Sequence, residues 1–184
     1  MSDLARAVGA GSSIEIDGKT YILSPLTLKD WGQIDRECLE TYRKNYIKTY
    51  KDNLSEIPVE LQTTLIRETI EKAARMTTAD LPKQNVNVPV FKSGRLVVDD
   101  AGQPTFKTLL LPYATWWASE TFEGKLYTSW LSVKKQHKEV SIDQWDELMM
   151  KAVESDSSKI DEAAELVSRM SMPQSVQQDT QQGN

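Results

Sequence analysis

The chain has 184 residues, 39% of them hydrophobic and 27% charged, with a net charge of −5, a length that accommodates one ordinary domain with a real core and leaves two full domains a tight fit. No apolar run approaches the roughly 20 residues that a membrane span requires, and residues 1–11 lack the basic start and apolar middle of a secretory signal, so a soluble protein made and used in a cytoplasm is the expectation. A single cysteine, Cys38, and a single histidine, His137, exclude an internal disulfide framework, a cysteine-rich metal site and any two-histidine metal site.

The small, Gly-containing residues 1–12 are expected to form a flexible N-terminus, ahead of a single mostly helical domain over residues 13–171. Strand-like runs from Ile14 to Leu23 flank Asp17-Gly18, a pair suited to a two-residue turn whose twist matches that of the strands beside it. Ser24, Pro25, Leu26 and Thr27 then break the strand, and Thr27 with Asp30 three residues on forms a capping box for the helix that carries Trp31. From Thr27 to about Tyr50, Leu28, Trp31, Ile34, Cys38, Tyr42 and Tyr46 recur at three- and four-residue steps, one face of an amphipathic helix. On that face Cys38 reads as a buried thiol, and the tyrosines as core or subunit contact, with a recognition surface as the alternative.

After a connector at residues 52–58, Leu61, Leu65, Ile66, Ile70 and Ala73 predict a second amphipathic helix over 58–76, with Pro58 suited to its first turn. Residues 77–111 change character: Pro82, Pro89, Pro104, Gly94 and Gly102 interrupt short β-like runs at Val86–Phe91 and Leu96–Val98, which reads as an extended or hairpin insertion with a turn at Asp99-Asp100-Ala101-Gly102. Pro112 opens a third helical region reaching about His137, which Gly124 could split in two. Trp116, Trp117, Trp130 and Trp145 concentrate four of the five tryptophans in 30 residues, either the main core or an exposed partner site. Ser141 with Gln144 is a second capping box, ahead of a short helix marked by Trp145, Leu148, Met149 and Ala152. A last helix, 159–170, carries Ile160, Ala163, Ala164, Val167 and Met170 on its apolar side, and residues 172–184 bury too little to offset their ordering entropy, so a disordered tail is expected. The fold class expected is therefore mainly α (α+β), an N-terminal β-hairpin followed by a bundle of about four to five helices with the insertion at about 77–111.

Chemistry-bearing residues are sparse. From Glu139 onward ten acidic residues stand against Lys151, Lys159 and Arg169, a balance of −7 that leaves residues 1–138 at about +2. Lys134, Lys135 and Lys138 with an exposed His137 make only a solvated helix end, which argues against direct nucleic-acid binding. Asp99-Asp100 reads as a turn and Asp161-Glu162 as a helix's first turn, where negative charge complements the dipole, rather than as acid–base pairs. No glycine-rich phosphate loop is present, and no cofactor or metal is expected.

The segment KTYILSPLTLKDW, Lys19–Trp31, resembles the opening of bacteriophage tail assembly chaperones, in which a short β-element precedes a helix. LSVKKQHKEVSIDQWDEL, Leu131–Leu148, is similar to a later helical segment of the same group, with Ser141, Ile142 and Trp145 at the helix start and its following apolar positions. Together they cover about a sixth of the chain, in the family's order. The resemblance implies a mostly helical, non-catalytic protein of the host cell cytoplasm, absent from the mature virion. It would bind the tape-measure protein, and the tail-tube protein as a second partner, with no membrane association and with a homo-oligomer left open. On that reading the aromatic anchors would be Tyr42, Tyr46, Trp116, Trp117, Tyr127 and Trp130. The alternative is a structural virion component, such as a connector or minor head–tail protein, whose insertion and termini wrap its neighbours.

Overall fold

The computed structural model describes residues 12–92 and 95–171, and among them the protein is mainly α-helical, with short antiparallel strand pairs. The expectations for residues 1–11 and 172–184 lie outside the described residues. Ser12, assigned by sequence to the flexible start, is instead held in place. Its N–H donates to Met170 Sδ at 3.2 Å and its carbonyl accepts from Leu23 at 2.7 Å.

Strands β1 (Ser13–Ile16) and β2 (Lys19–Ile22) form the expected hairpin, with Asp17 and Gly18 at φ 51° and 71°. Both turn residues therefore occupy the left-handed region, which is why an Asp-Gly pair stands there. Alternation then sends Ile14, Ile16 and Tyr21 inward, and the chain leaves the strand through buried Leu23 and Ser24. Thr27 and Asp30 close the expected capping box on α1 (Leu28–Asp52). Ile34 and Cys38 face the core, as the periodicity requires, but Leu28 is 90% and Trp31 36% exposed, so the buried stripe begins only at Ile34.

A single 3₁₀ turn and Pro58 lead into α2 (Val59–Arg75). This helix buries Thr69 and Ala73 and half-buries Leu65 and Ile66, while Leu61 and Ile70, expected on the same apolar face, point to solvent. Hydrogen bonds decide that rotation: Arg43 Nη2 of α1 donates to the carbonyls of Ala74 and Met76, and Gln62 Nε2 donates to those of Leu54 and Ile57. The predicted insertion is a β-arm. Strands β3 (Lys83–Pro89) and β6 (Phe106–Pro112) pair antiparallel from Lys83↔Pro112 to Pro89↔Phe106. Beyond them β4 (Phe91–Lys92) and β5 (Arg95–Leu96) form a small outer pair. The expected Asp99 turn is present, its Oδ1 accepting from Ala101 and Gln103 with Gly102 at φ 77°.

Pro112 then caps α3 (Tyr113–Glu120), and α4 (Phe122–Val133) follows after one residue. The break falls at Thr121 rather than at Gly124. Thr121 ends one helix and caps the next, its hydroxyl donating to Trp117 O at 2.7 Å and accepting from Gly124 N–H at 3.0 Å. Gly124 is required for the fit, since a Cβ there would lie 1.9 Å from that carbonyl oxygen. The Ser141–Gln144 capping box starts α5 (Ile142–Ser155), and α6 (Lys159–Ser171) closes the described chain. Trp145, Met149, Ala163 and Val167 are fully enclosed with Leu23, Ile34 and Val133, and Trp117 of α3 joins them, so the hairpin and five helices share one core.

The two segments of the family resemblance meet in that core. Ser132 Oγ accepts from Ser24 N–H at 2.8 Å and donates to Ser24 O at 2.6 Å, satisfying both backbone groups of a buried residue. Lys135 bonds the Pro25 carbonyl and lies 2.6 Å from Asp30. Tyr21 stacks edge-on against Trp145 at 5.4 Å, and the Trp145 indole N–H donates to Ser129 Oγ. His137, expected to be exposed, is folded back instead. Its Nε2 accepts the outward-facing N–H of Ile22 at 3.0 Å and its ring lies 5.4 Å from Tyr21, because the edge of β2 offers an amide that no strand pairs.

Candidate partner-binding surfaces

Five of the six aromatic residues singled out by sequence fall, with Tyr113, into two ladders at the junction of α1, α3 and α4, while the sixth, Tyr46, has Lys72 over its ring. Tyr42 meets Tyr113 at 5.1 Å, and Tyr113 meets Trp116 at 5.2 Å. Trp117 meets Tyr127 at 6.2 Å, and Tyr127 meets Trp130 at 5.6 Å. Trp117 is 3% exposed and belongs to the core. Tyr127 is half-buried, and burial followed by the nearby Glu37 charge raises its phenol, the opposing Arg36 notwithstanding. Tyr113 is raised by burial first, with Cys38, Tyr42 and Glu123 adding to it. Trp130 donates to Val140 O at 3.1 Å and carries Lys134 over its ring at 4.3 Å, so its polar atom and its π face are both engaged. Tyr42 and Tyr46 are more open. They line a cleft of about 690 Å³ with Glu68, Glu71, Lys72 and Arg75, and a second of about 340 Å³ with Tyr50, Ile57 and Tyr113.

Cys38, His137 and Asp161, three of the residues weighed for chemistry, are each buried or partnered. Burial, with Asp35 adding to it, pushes the Cys38 thiol up to about 12, which leaves the thiolate required of a nucleophile scarce. His137 spends its Nε2 lone pair on Ile22. Asp161 is ion-paired to Lys125 at 2.6 Å. Among the described residues no group of three His, Cys, Asp or Glu could hold a metal, and no helix is long and apolar enough to cross a membrane.

Comparison with protein-family models, curated proteins and solved structures finds no match. The surfaces themselves therefore carry the functional argument.

Two surfaces lie apart from the six aromatic residues named from sequence, the first within the insertion that the structural-component alternative had wrapping its neighbours. The first is the arm, where Phe91, Leu96, Val98, Phe106, Leu109 and Leu110 are all exposed, Phe91 by 62% and Phe106 by 60%. A two-stranded ribbon has no second layer to cover such side chains, and is marginal by itself. The sequence signal was the run Phe106 to Leu111, which ends in three consecutive leucines and so cannot hide every apolar side chain on one face of a strand. The second is a cleft of about 600 Å³ among α1, α3, α4 and α6, floored by Leu26, Trp31, Ala118, Ala164 and Val167. Thr128 belongs to its lining and is 5% exposed, and its hydroxyl has no hydrogen-bond partner. No sequence pattern marks this cleft, since its residues come from four separate elements.

Proposed function

We propose that this protein is a non-catalytic assembly chaperone of long-tailed phage, acting in the host cytoplasm on the tape-measure protein, with the tail-tube protein as a second partner. The observation that carries the reading is the β-arm, which displays six large apolar side chains on a ribbon without a covering layer. Exposed apolar surface of that kind marks a protein contact. A long, apolar helical client needs such surface to shield it reversibly before assembly. The unpaired edge of β6 adds backbone groups that an extended client segment could bond. The aromatic clefts around Tyr42 and Tyr46 supply a second contact region, with Trp116 and Trp130 half-buried nearby and Trp117 and Tyr127 supporting them from within.

Co-expression with the tape-measure protein encoded beside it should raise that client's soluble fraction and yield a complex. No binding and no change in solubility would overturn the proposal. A structural virion component is the second reading, favoured by the arm's reach away from the core, as interlocking subunits use such extensions. Mass spectrometry of purified particles separates the two, since a chaperone is absent and a subunit is present at fixed copy number.

A further inference from the structure

We infer that His137 is a proton-operated plug on the open edge of β2, closing that edge while its ring is neutral and uncovering it once the ring gains a proton. The hairpin leaves that edge unpaired. In its register Ser13 stands opposite Ile22, while the bond from Leu23 N–H to Ser12 O belongs to the next position, so the N–H of Ile22 turns away from β1. His137 meets it from the turn after α4. Its Nε2 accepts that N–H at 3.0 Å, and its ring rests against Tyr21 at 5.4 Å. The backbone beneath the ring is fixed, His137 N–H donating to Val133 O at 2.9 Å and its carbonyl accepting from Val140 N–H at 3.1 Å, so side-chain rotation is what moves the ring. An acceptor placed on an outward strand amide guards an edge that would otherwise recruit a further strand.

Two groups compete for the ring. A neutral imidazole whose Nε2 accepts carries its proton on Nδ1, and Nδ1 lies 3.7 Å from Glu139 Oε1, just beyond a hydrogen bond. Glu139 is 68% exposed and has room to approach. A second proton turns Nε2 into a donor facing the Ile22 donor, which abolishes that bond, while the new charge strengthens the pull of Glu139. The ring therefore has one arrangement for each charge state, Ile22-bound when neutral and Glu139-bound when protonated, and histidine is the side chain that changes charge between about pH 5 and 8. The other charged groups around it leave the contest to Glu139. On β2, Lys19 stands over the Tyr21 ring at 5.0 Å, and at the end of α4 Lys134 lies on Trp130 at 4.3 Å and Lys135 is held by Pro25 O and Asp30, while Lys138 is exposed. α5 reaches this corner through the uncharged Trp145, which meets Tyr21. The plug is therefore in place at higher pH and is withdrawn as pH falls through the titration of the ring. Ile14, Ile16 and Tyr21 stay buried and keep the hairpin docked, and one strand amide is left open to an extended partner.

Nuclear magnetic resonance of the full chain tests this in one pH series. Between about pH 7.5 and pH 5.5 the ring nitrogens of His137 should pass from the neutral form with Nε2 unprotonated to the doubly protonated form. Over the same range, hydrogen exchange at the Ile22 amide, divided by its intrinsic rate at each pH, should accelerate about fivefold or more, the factor carried by one net hydrogen bond. His137→Ala should abolish the step and leave Ile22 fast throughout, and His137→Gln should abolish it as well, with an unchanged circular dichroism spectrum in both. Glu139→Gln keeps the neutral-state bond and should move the step to lower pH. Ile22 exchange that ignores the protonation of His137, a step that persists in either His137 variant or that Glu139→Gln leaves in place, or a ring that takes up no proton before the whole chain unfolds would overturn the inference. None of these outcomes bears on the chaperone proposal, because client binding is measured separately.

Discussion

Replacing Gly124 by Ala should destabilise the protein although alanine is the better helix former. The added Cβ would sit 1.9 Å from Trp117 O, 2.5 Å from Trp117 C and 2.9 Å from Ala118 Cα, all below the 3.0 Å that real Cβ contacts respect. All three atoms are backbone, so no rotamer change relieves the overlap; α3 and α4 must move apart, and the Thr121 hydrogen bonds to Trp117 and Gly124 go with them. Overpacking costs about 1–3 kcal/mol where side chains can yield, and a backbone clash belongs at or above the upper end. Helix propensity returns about 1 kcal/mol, for a net loss of about 2 kcal/mol or more. At about 2–4 °C per kcal/mol for a chain of this size, Tm should fall by roughly 4–8 °C. Gly32 is the internal control, being exposed in α1 with nothing within 4 Å of its added Cβ. There the same substitution should raise Tm by roughly 2–4 °C through propensity alone. Thermal melts followed by circular dichroism decide it. Shifts of the same sign at both glycines, or no change at Gly124, would refute the packing argument.

Ser132→Ala strips buried Ser24 of partners for both its N–H and its carbonyl, and should cost about 2–4 kcal/mol, read as a lower urea midpoint with unchanged slope; a loss under about 1 kcal/mol would contradict the joint described between residue 24 and α4. Cys38 should resist alkylation in the native state at pH 8 and react at the rate of unfolding, since burial raises its thiol to about 12; fast native-state labelling would contradict this. For Asp30, burial pushes the carboxyl up, but the Lys135 bond, the Thr27 backbone and hydroxyl bonds and the Lys135 charge together hold it below the ordinary value. A depressed folded-state pKa stabilises above the unfolded value of about 3.9 and is lost as pH falls through the folded one, so the deficit of Asp30→Asn in urea unfolding should be constant near neutrality and shrink below about pH 4. A deficit that grows on acidification would reverse that assignment.

Much of the fold was readable because it rests on local chemistry. Asp17-Gly18 needs two residues in the left-handed region, and Thr27 with Asp30 or Ser141 with Gln144 satisfies orphan amides within one turn, so these features depend on few distant contacts. Periodicity likewise placed Ile34, Cys38, Trp145, Met149 and Val167 in the core. What failed was set by tertiary hydrogen bonds. The rotation of α2 that exposes Leu61 and Ile70 goes with Arg43 of α1 reaching across to the carbonyls of Ala74 and Met76, and the position of His137 follows from the free amide of Ile22. The candidate surfaces were the least legible. Aromatic spacing identified Tyr42 and Tyr46, which border open clefts, but equally identified Trp117, which is buried, because a stripe records that a side chain is covered and not by what. Proline and glycine mark residues 77–111 as irregular, whereas the exposure of Leu109 and Leu110 follows from a two-stranded ribbon with no covering layer, which no local pattern records.

The proposed shielding of an apolar client by the arm is open to an affinity measurement on paired proteins. Purified wild-type protein and the variant Phe106→Ser, Leu110→Ser should be titrated against a purified tape-measure protein, the client proposed for it. Both side chains are exposed, at 60% and 59%, so their loss leaves the core intact. Burying such a side chain contributes about 1.5–3 kcal/mol, so the pair should weaken binding by about 10²-fold or more with no change in Tm. Equal affinity of variant and wild type would rule out the arm as the client-binding surface.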